Sequence, residues 1–344
     1  MPPLASFIFL SSLATGTTIT LASYHWLLAW IGLEINTLAI IPLMTKTPHP
    51  RAIEAATKYF LTQAAASALI LFSTMINSWT FGEWDIMLTS PTMTIPISIA
   101  LLMKLGLAPM HFWMPEVLQG IPLHTGLILS TWQKIAPMVL LLQISKTCNL
   151  DLMIIMGSIS IIIGGWGGIN QTQLRKIMAF SSIGHLGWMM VILKFNPDLT
   201  LFNFILYIIM TSAMFLTLIF LNLTKMSQLS SSWTKTPTLT SSSMLILLSL
   251  GGLPPLTGFA PKLFISMELI KQNSSILAGV ILLASLLALY FYIRLTYIMT
   301  LTLSPNSSSS TMIWHFSTNQ LAISTPTTLA LLLLPISSTI IAII

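Results

Sequence analysis

Charged residues are scarce in this chain: Asp, Glu, Lys and Arg make up 6% of 344 residues, against about 25% in soluble domains. So few charges cannot cover an ordinary water-facing surface, which excludes a soluble globular domain. Cysteine is scarcer still. The single Cys148 excludes an intrachain disulfide and a four-thiolate iron–sulfur cluster supplied by this chain alone. Basic clusters are missing too. The formal charge of +6 is scattered along the chain and cannot neutralise a run of phosphates, so nucleic acid is not a partner. After Met-Pro-Pro the chain shows no basic leader region, no small-residue cleavage site and no Arg-rich amphipathic presequence, so no cleaved targeting segment is expected.

What the chain does have is apolar length. Hydrophobic residues make up 55% of it, and the mean hydropathy is +0.88. A transmembrane helix needs about 20 apolar residues. Eleven stretches qualify: Leu4–Ala22, Trp26–Met44, Tyr59–Trp79, Thr92–Trp113, Leu123–Gln143, Leu152–Ile169, Ile177–Leu193, Leu199–Leu221, Leu239–Leu269, Ile276–Ile293 and Leu321–Ile343. The longest polar stretches, Thr224–Thr238 and Ser304–Asn319, are too short for a separate domain.

Loops on the side of the N-terminus hold Lys46, Arg51, Lys58, Arg175, Lys176, Lys225, Lys235 and Arg294, and the opposite loops hold Lys146, Lys194 and Lys271. The positive-inside rule then places the N-terminus in the matrix or cytoplasm and, with an odd helix count, the C-terminus outside.

The fourth and ninth stretches are interrupted. In PISIALLMKLGLAPMHFWMP a lone cation, Lys104, stands in a helix-length apolar run, and Pro109 breaks the helix five residues later. A charge near the bilayer centre costs about 2.5 to 3.5 kcal/mol even on lenient scales and marks an ion or proton path. Broken backbone at that depth is tolerated only against protein or a wet cavity. Leu105-Gly106, Pro109, Phe112 and Pro115 are loosely echoed by Leu250-Gly251, Pro254, Phe259 and Pro261. Interrupted helices at matching places in two halves point to a transporter's midplane site. The expected fold is therefore an all-α polytopic membrane protein of about 11 helices. Two inverted five-helix units (residues 1–146 and 147–300) each have a broken fourth helix, and residues 301–344 add a polar loop and a C-terminal helix.

Four ionisable side chains fall well inside these spans: Glu34, Lys104, Lys134 and Lys262. Burial disfavours a charged amine and a nearby carboxylate favours it, so such lysines can load and release a proton as their surroundings change. A relay through Lys104, Lys134 and Lys262 with Glu34 biasing Lys104 is one reading. Lysines that merely bond broken-helix carbonyls are the other. His185 either bridges the relay, since histidine titrates near neutral pH, or packs. His111 and Glu116 flank the first break and either admit protons or anchor a helix end. His25, His49, His124 and His315 lie at edges or in loops without ligand spacing, and no metal site is assigned. Gly164-Gly165-Trp166-Gly167-Gly168 lacks the strand and Lys-Ser/Thr of a phosphate loop and reads as close helix packing. Trp26, Trp79, Trp113 and Tyr297 near span ends suit an interfacial aromatic belt.

The stretches WLLAWIGLEINTLAIIP, TKYFLTQA, MKLGLAPMHFWMPEV, LSTWQKIAPM, GGWGGINQTQLRKIMAFSSIGHLGWM, LGGLPPLTGFAPK and YFYIRLTY together resemble the chain 2 family of mitochondrial NADH–ubiquinone oxidoreductase, respiratory complex I, in its metazoan form. The resemblance runs from about Trp26 to Thr300. It implies an antiporter-like subunit of the membrane arm, similar to the bacterial form without its three N-terminal helices. The family's carboxylate and lysines fall on Glu34, Lys104, Lys134 and Lys262. The location implied is the mitochondrial inner membrane, with the other core and accessory subunits of the complex and the lipid bilayer as partners. NADH, FMN, iron–sulfur clusters and ubiquinone are implied to be handled by other subunits, with no cofactor on this chain. Two rivals remain: a free-standing cation/proton antiporter subunit, and a scaffold that assembles the arm without moving protons.

Overall fold

A computed structural model describes residues 2–234, 236–301, 321–337 and 339. Among them the chain is helical, with isolated bridges in place of strands. It divides into two compact units, Met1–Ser160 with Leu193–Pro197, and Ile161–Ile192 with Asp198–Ile344.

In the first unit, α1 (Pro3–Ala22), α2 (Trp26–Met44), α3 (Pro50–Phe81) and α4 (Pro91–Leu105) are followed by the short α5 (Trp113–Gly120) and α6 (Leu123–Ser130). A 3-10 turn, Trp132–Lys134, then leads into α7 (Ile135–Gln143), and α8 (Leu150–Ile169) begins in this unit. Prolines open α1, α3 and α4, where the missing N–H would be unpaired anyway and the fixed φ already suits a helix. Helices α1 and α2 touch backbone to backbone. A Cβ on Gly32 would lie 2.9 Å from the Gly16 carbonyl oxygen, so a larger residue would part the helices.

The second unit contains the rest of α8, then α9 (Leu174–Ile192), α10 (Pro197–Leu221), α11 (Met226–Ser230) and a 3-10 turn at Ser231–Thr234. Next come α12 (Pro237–Gly251), α13 (Phe259–Lys271), α14 (Ser275–Leu301) and α15 (Leu321–Leu332). The α8 glycines pack as the sequence implies. Gly164 and Gly167 abut Gly184 and Phe180 of α9, while Gly165 and Gly168 abut Leu287 and Phe291 of α14.

Both units carry the same local devices. Trp26 N–H donates to the Trp84 carbonyl and Ile86 N–H to that of Tyr24, each at 3.0 Å. In the second unit Leu174 N–H donates to Thr224 and Met226 N–H to Thr172, each at 3.1 Å. Element lengths match as well, with 20 residues in α1 and α8, 19 in α2 and α9, and 15 in α4 and α12.

Among the described residues seven helices are long and apolar enough to cross a membrane: Pro3–Ala22, Trp26–Met44, Pro50–Phe81, Leu123–Gln143, Leu150–Ile169, Pro197–Leu221 and Ser275–Leu301. The other four expected spans differ for physical reasons. Two are the broken ones, split into α4 with α5 and α12 with α13. The third, α9, is diluted by Arg175, Lys176 and His185. The last falls partly outside the described residues, as do Lys235, His315 and the polar stretch Ser304–Asn319. Of the aromatic belt, Trp79 and Tyr297 are exposed, at 89% and 59%. Trp26 and Trp113 are not at an interface, being 1% and 7% exposed. A large ring beside a helix end packs inward when that end is itself buried.

Candidate functional site

Helix α4 ends in the way its sequence requires. Gly106 adopts φ +80°, the left-handed conformation that glycine enters most readily, and its N–H returns to Leu102 and Met103 while Leu107 N–H returns to Leu102. Lys104 lies in the last turn, 6% exposed, and its Nζ has no hydrogen-bond partner. It lines a cavity of about 20 Å³ with Asn36 from α2, Tyr59 and Gln63 from α3, Trp113, Gln133, Lys134 and Pro137. Such a volume holds about one water molecule. Asn36 and Gln63 are 2% and 3% exposed and carry unpartnered amide atoms, so the wall is polar as well as enclosed.

Lys134, on the same cavity, is 3% exposed and lies at the end of the 3-10 turn. Pro137, which cannot donate to the Gln133 carbonyl, is the local reason the α-helical ladder is interrupted there. The sequence signal, a proline three residues on, was present, although only the fourth and ninth spans were expected to break. Glu34 is partly exposed on α2 and accepts from the Thr37 hydroxyl at 3.1 Å. No ion pair within 4.0 Å joins it to Lys104.

The second break has different chemistry. Its glycine at φ +78° is Gly252, one residue beyond the pair that the sequence echo aligned. Both α4 and α12 begin at a proline, Pro91 and Pro237. The same spacing of 146 carries Gly106 to Gly252, Trp113 to Phe259, Pro115 to Pro261 and Glu116 to Lys262 without a gap. Lys262 therefore corresponds to Glu116, and Lys104 to Leu250. The Lys262 ammonium donates to the Gly251 carbonyl at 2.7 Å, capping the end of α12 as basic side chains commonly do. It lines a second small cavity with Ser181, His185, Leu250, Ser285 and Tyr292, and the His185 ring tilts against Tyr207 at 5.9 Å.

His111 is 4% exposed, with Nδ1 3.2 Å from the Pro109 carbonyl oxygen. Glu116 faces outward and pairs with Lys58 at 2.6 Å, and Lys58 also pairs with Glu54 at 2.6 Å. The first unit thus gathers Lys104, Lys134 and Glu34, with His111 and Glu116 at the rim of its break, while the second brings together Lys262 and His185. Sequence reasoning missed Asn36, Gln63 and Gln133, uncharged residues in otherwise apolar helices. Gln133 has the clearest tie, its Nε2 donating to the Asn36 carbonyl at 3.0 Å.

Membrane-length helices interrupted beside buried amines define a polytopic membrane protein of the antiporter-like class. The family described as NADH:quinone oxidoreductase/Mrp antiporter, transmembrane, matches residues 23–288, and that described as NADH dehydrogenase subunit 2 C-terminus matches residues 289–341. NADH-ubiquinone oxidoreductase chain 2 of Aquarana catesbeiana is 67% identical, covering 99% of this chain and 99% of that one. The protein of the same name from Xenopus laevis is 58% identical over 100% and 98%. The chain belongs to the NADH-ubiquinone oxidoreductase chain 2 family. Among solved structures it is similar to a chain of respiratory complex I from Thermus thermophilus, at TM-score 0.81 and 25% identity over 96% of this chain and 79% of that one. It shares its fold with a chain of the Mrp complex from Dietzia sp. DQ12-45-1b, at TM-score 0.79 and 17% identity over 96% and 73%.

Proposed function

We propose that this chain is a core membrane-arm subunit of respiratory complex I that contributes to proton translocation coupled to NADH:ubiquinone electron transfer. The near-full-length identity to chain 2 relatives supports the assignment to the complex, and buried, unpartnered Lys104 is the observation that supports a proton-handling role. The protein works as a multi-pass subunit of the mitochondrial inner membrane, among other subunits of the complex. In the finer reading there are 11 spans in two inverted five-helix units, 1–146 and 147–300, followed by 301–344. The N-terminus lies in the matrix and the C-terminus in the intermembrane space. The equal helix lengths and repeated bridges support the two-unit reading.

Within it, Lys104 and Lys134 exchange a proton across the first cavity, Glu34 biases Lys104, and His185 with Lys262 continues the relay. Glu116 and His111 anchor the first break. Accessory subunits and lipid cover the outer faces, no nucleic acid is bound, and NADH, FMN, iron–sulfur clusters and ubiquinone are held by other subunits. One charge crossing 100 mV takes about 2.3 kcal/mol, comparable with the cost of burying one amine.

The test is Lys104→Met in reconstituted complex, read by proton pumping together with NADH–quinone turnover and a check of assembly. Loss of pumping and coupled turnover in a fully assembled complex supports the reading. Unchanged turnover and stoichiometry would make Lys104 a structural cation and the chain a scaffold. Co-purification with a large NADH-oxidising complex separates it from a free-standing antiporter.

A further inference from the structure

The two breaks are tied down by different donors at different carbonyls. A helix that stops inside a protein leaves carbonyls without intrahelical partners, and a lysine in its last turn is a natural donor to them. At the second break a lysine does that work, with Lys262 Nζ on the Gly251 carbonyl at 2.7 Å. At the first break a lysine stands in the last turn itself, yet Lys104 Nζ bonds to nothing. The donor from the following helix is Trp113, whose indole Nε1 donates to the Met103 carbonyl at 3.2 Å. Its ring is locked in place. It lies against Gly106, where an added Cβ would be 3.1 Å from the indole, and meets the Tyr59 ring edge-on with centroids 5.7 Å apart. The counterpart of Trp113 in the second unit is Phe259, which has no N–H to give.

We infer that Trp113 is a positioning residue for Lys104: its indole N–H ties the Met103 carbonyl, one residue before Lys104, to the start of α5 and so holds that turn and its amine at the cavity with Asn36 and Gln63. The inference rests on the proton-handling reading of Lys104. A lysine held on a carbonyl, as Lys262 is, must break that bond before it can give up a proton, whereas an amine spared it exchanges with whatever the cavity holds.

The experiment compares Trp113→Phe, Trp113→His and Lys104→Met in the assembled complex, each read by proton pumping and coupled turnover. Phenylalanine keeps apolar bulk and loses the donor. Histidine loses bulk, but its imidazole superimposes on the five-membered ring of indole and returns an N–H to the same place. The expected order is loss of about fivefold or more in pumping for Trp113→Phe, the scale set by one hydrogen bond, with Trp113→His restored to near the unsubstituted rate. Packing alone predicts the reverse order, so equal defects, or a worse histidine variant, overturn the inference. Wild-type pumping by Trp113→Phe overturns it too. If the phenylalanine variant does not assemble, the histidine variant decides, retained pumping supporting the inference and lost pumping refuting it. Lys104→Met separates the two levels. Its failure to reduce pumping sinks the underlying reading, while its loss beside a normal Trp113→Phe sinks only the role of Trp113.

Discussion

Replacing Lys104 and Lys262 separately by methionine should affect stability unequally, although both are buried lysines beside broken helices. Lys262 bonds the Gly251 carbonyl at 2.7 Å. A hydrogen bond to a charged group contributes about 1.5 to 3 kcal/mol, and a cation at a helix C-terminus adds up to about 1 kcal/mol. Methionine removes both and leaves the carbonyl orphaned. Lys104 offers no such bond, since its Nζ has no hydrogen-bond partner, and its burial carries a penalty of about 2.5 to 3.5 kcal/mol at membrane depth. Glu34, partly exposed and bonded to Thr37, makes no ion pair with it that would offset this. Both amines carry that burial penalty, so it is the Gly251 bond that separates them: Lys262→Met should be less stable than Lys104→Met by about 2 kcal/mol. The assay is the rate of heat inactivation of the assembled complex, followed by its abundance on native gels. A difference of about 2 kcal/mol corresponds to roughly a thirtyfold change in rate. Equal rates for the two variants would refute the argument, and a less stable Lys104→Met would show that Lys104 has a structural partner.

Gly258→Ala should abolish accumulation of assembled complex, because its Cβ would collide with the Ser249 carbonyl oxygen at the second break. Gly184→Ala, whose Cβ meets nothing within 4 Å, should be tolerated or stabilising by up to about 1 kcal/mol, and native-gel abundance of the two variants checks both. Burial pushes the Cys148 thiol up to about 12, Lys194 opposing it more weakly. At pH 8 only about one such thiol in ten thousand is thiolate, against roughly a quarter of ordinary thiols near 8.5. Cys148 should accordingly resist maleimide in the folded complex and react after denaturation, as mass spectrometry would show.

Much of this was legible because lipid simplifies the sequence. Scarce charge, apolar runs and the prolines at Pro109 and Pro254 locate the helices and both breaks, since at membrane depth each such residue needs a specific accommodation. Register was less legible. The echo aligned Gly106 with Gly251 because Gly251-Gly252 offers two equivalent letters, and only the left-handed backbone at Gly252 chooses between them. The same slip paired Pro109 with Pro254, whereas the spacing of 146 carries it to Pro255. Trp113 was misread for a related reason. A tryptophan near a span end looks alike whether it faces headgroups or a carbonyl ten residues back, and only the fold of the chain between Met103 and Trp113 decides. The polar amides Asn36 and Gln63 carry no charge to betray them, so their meeting at one cavity required three dimensions.

The glycine row on α8 also determines what can move. With Gly164 and Gly167 against α9, and Gly165 and Gly168 against α14, this stretch of α8 touches two neighbours at distances that admit no side chain. It cannot slide past either without colliding with their backbone or rings. Any motion of these three segments is consequently that of one stiff block, and the compliance needed for a transport stroke must come from the uncoiled links, the segments around Gly106 and Gly252, where backbone hydrogen bonding is already interrupted.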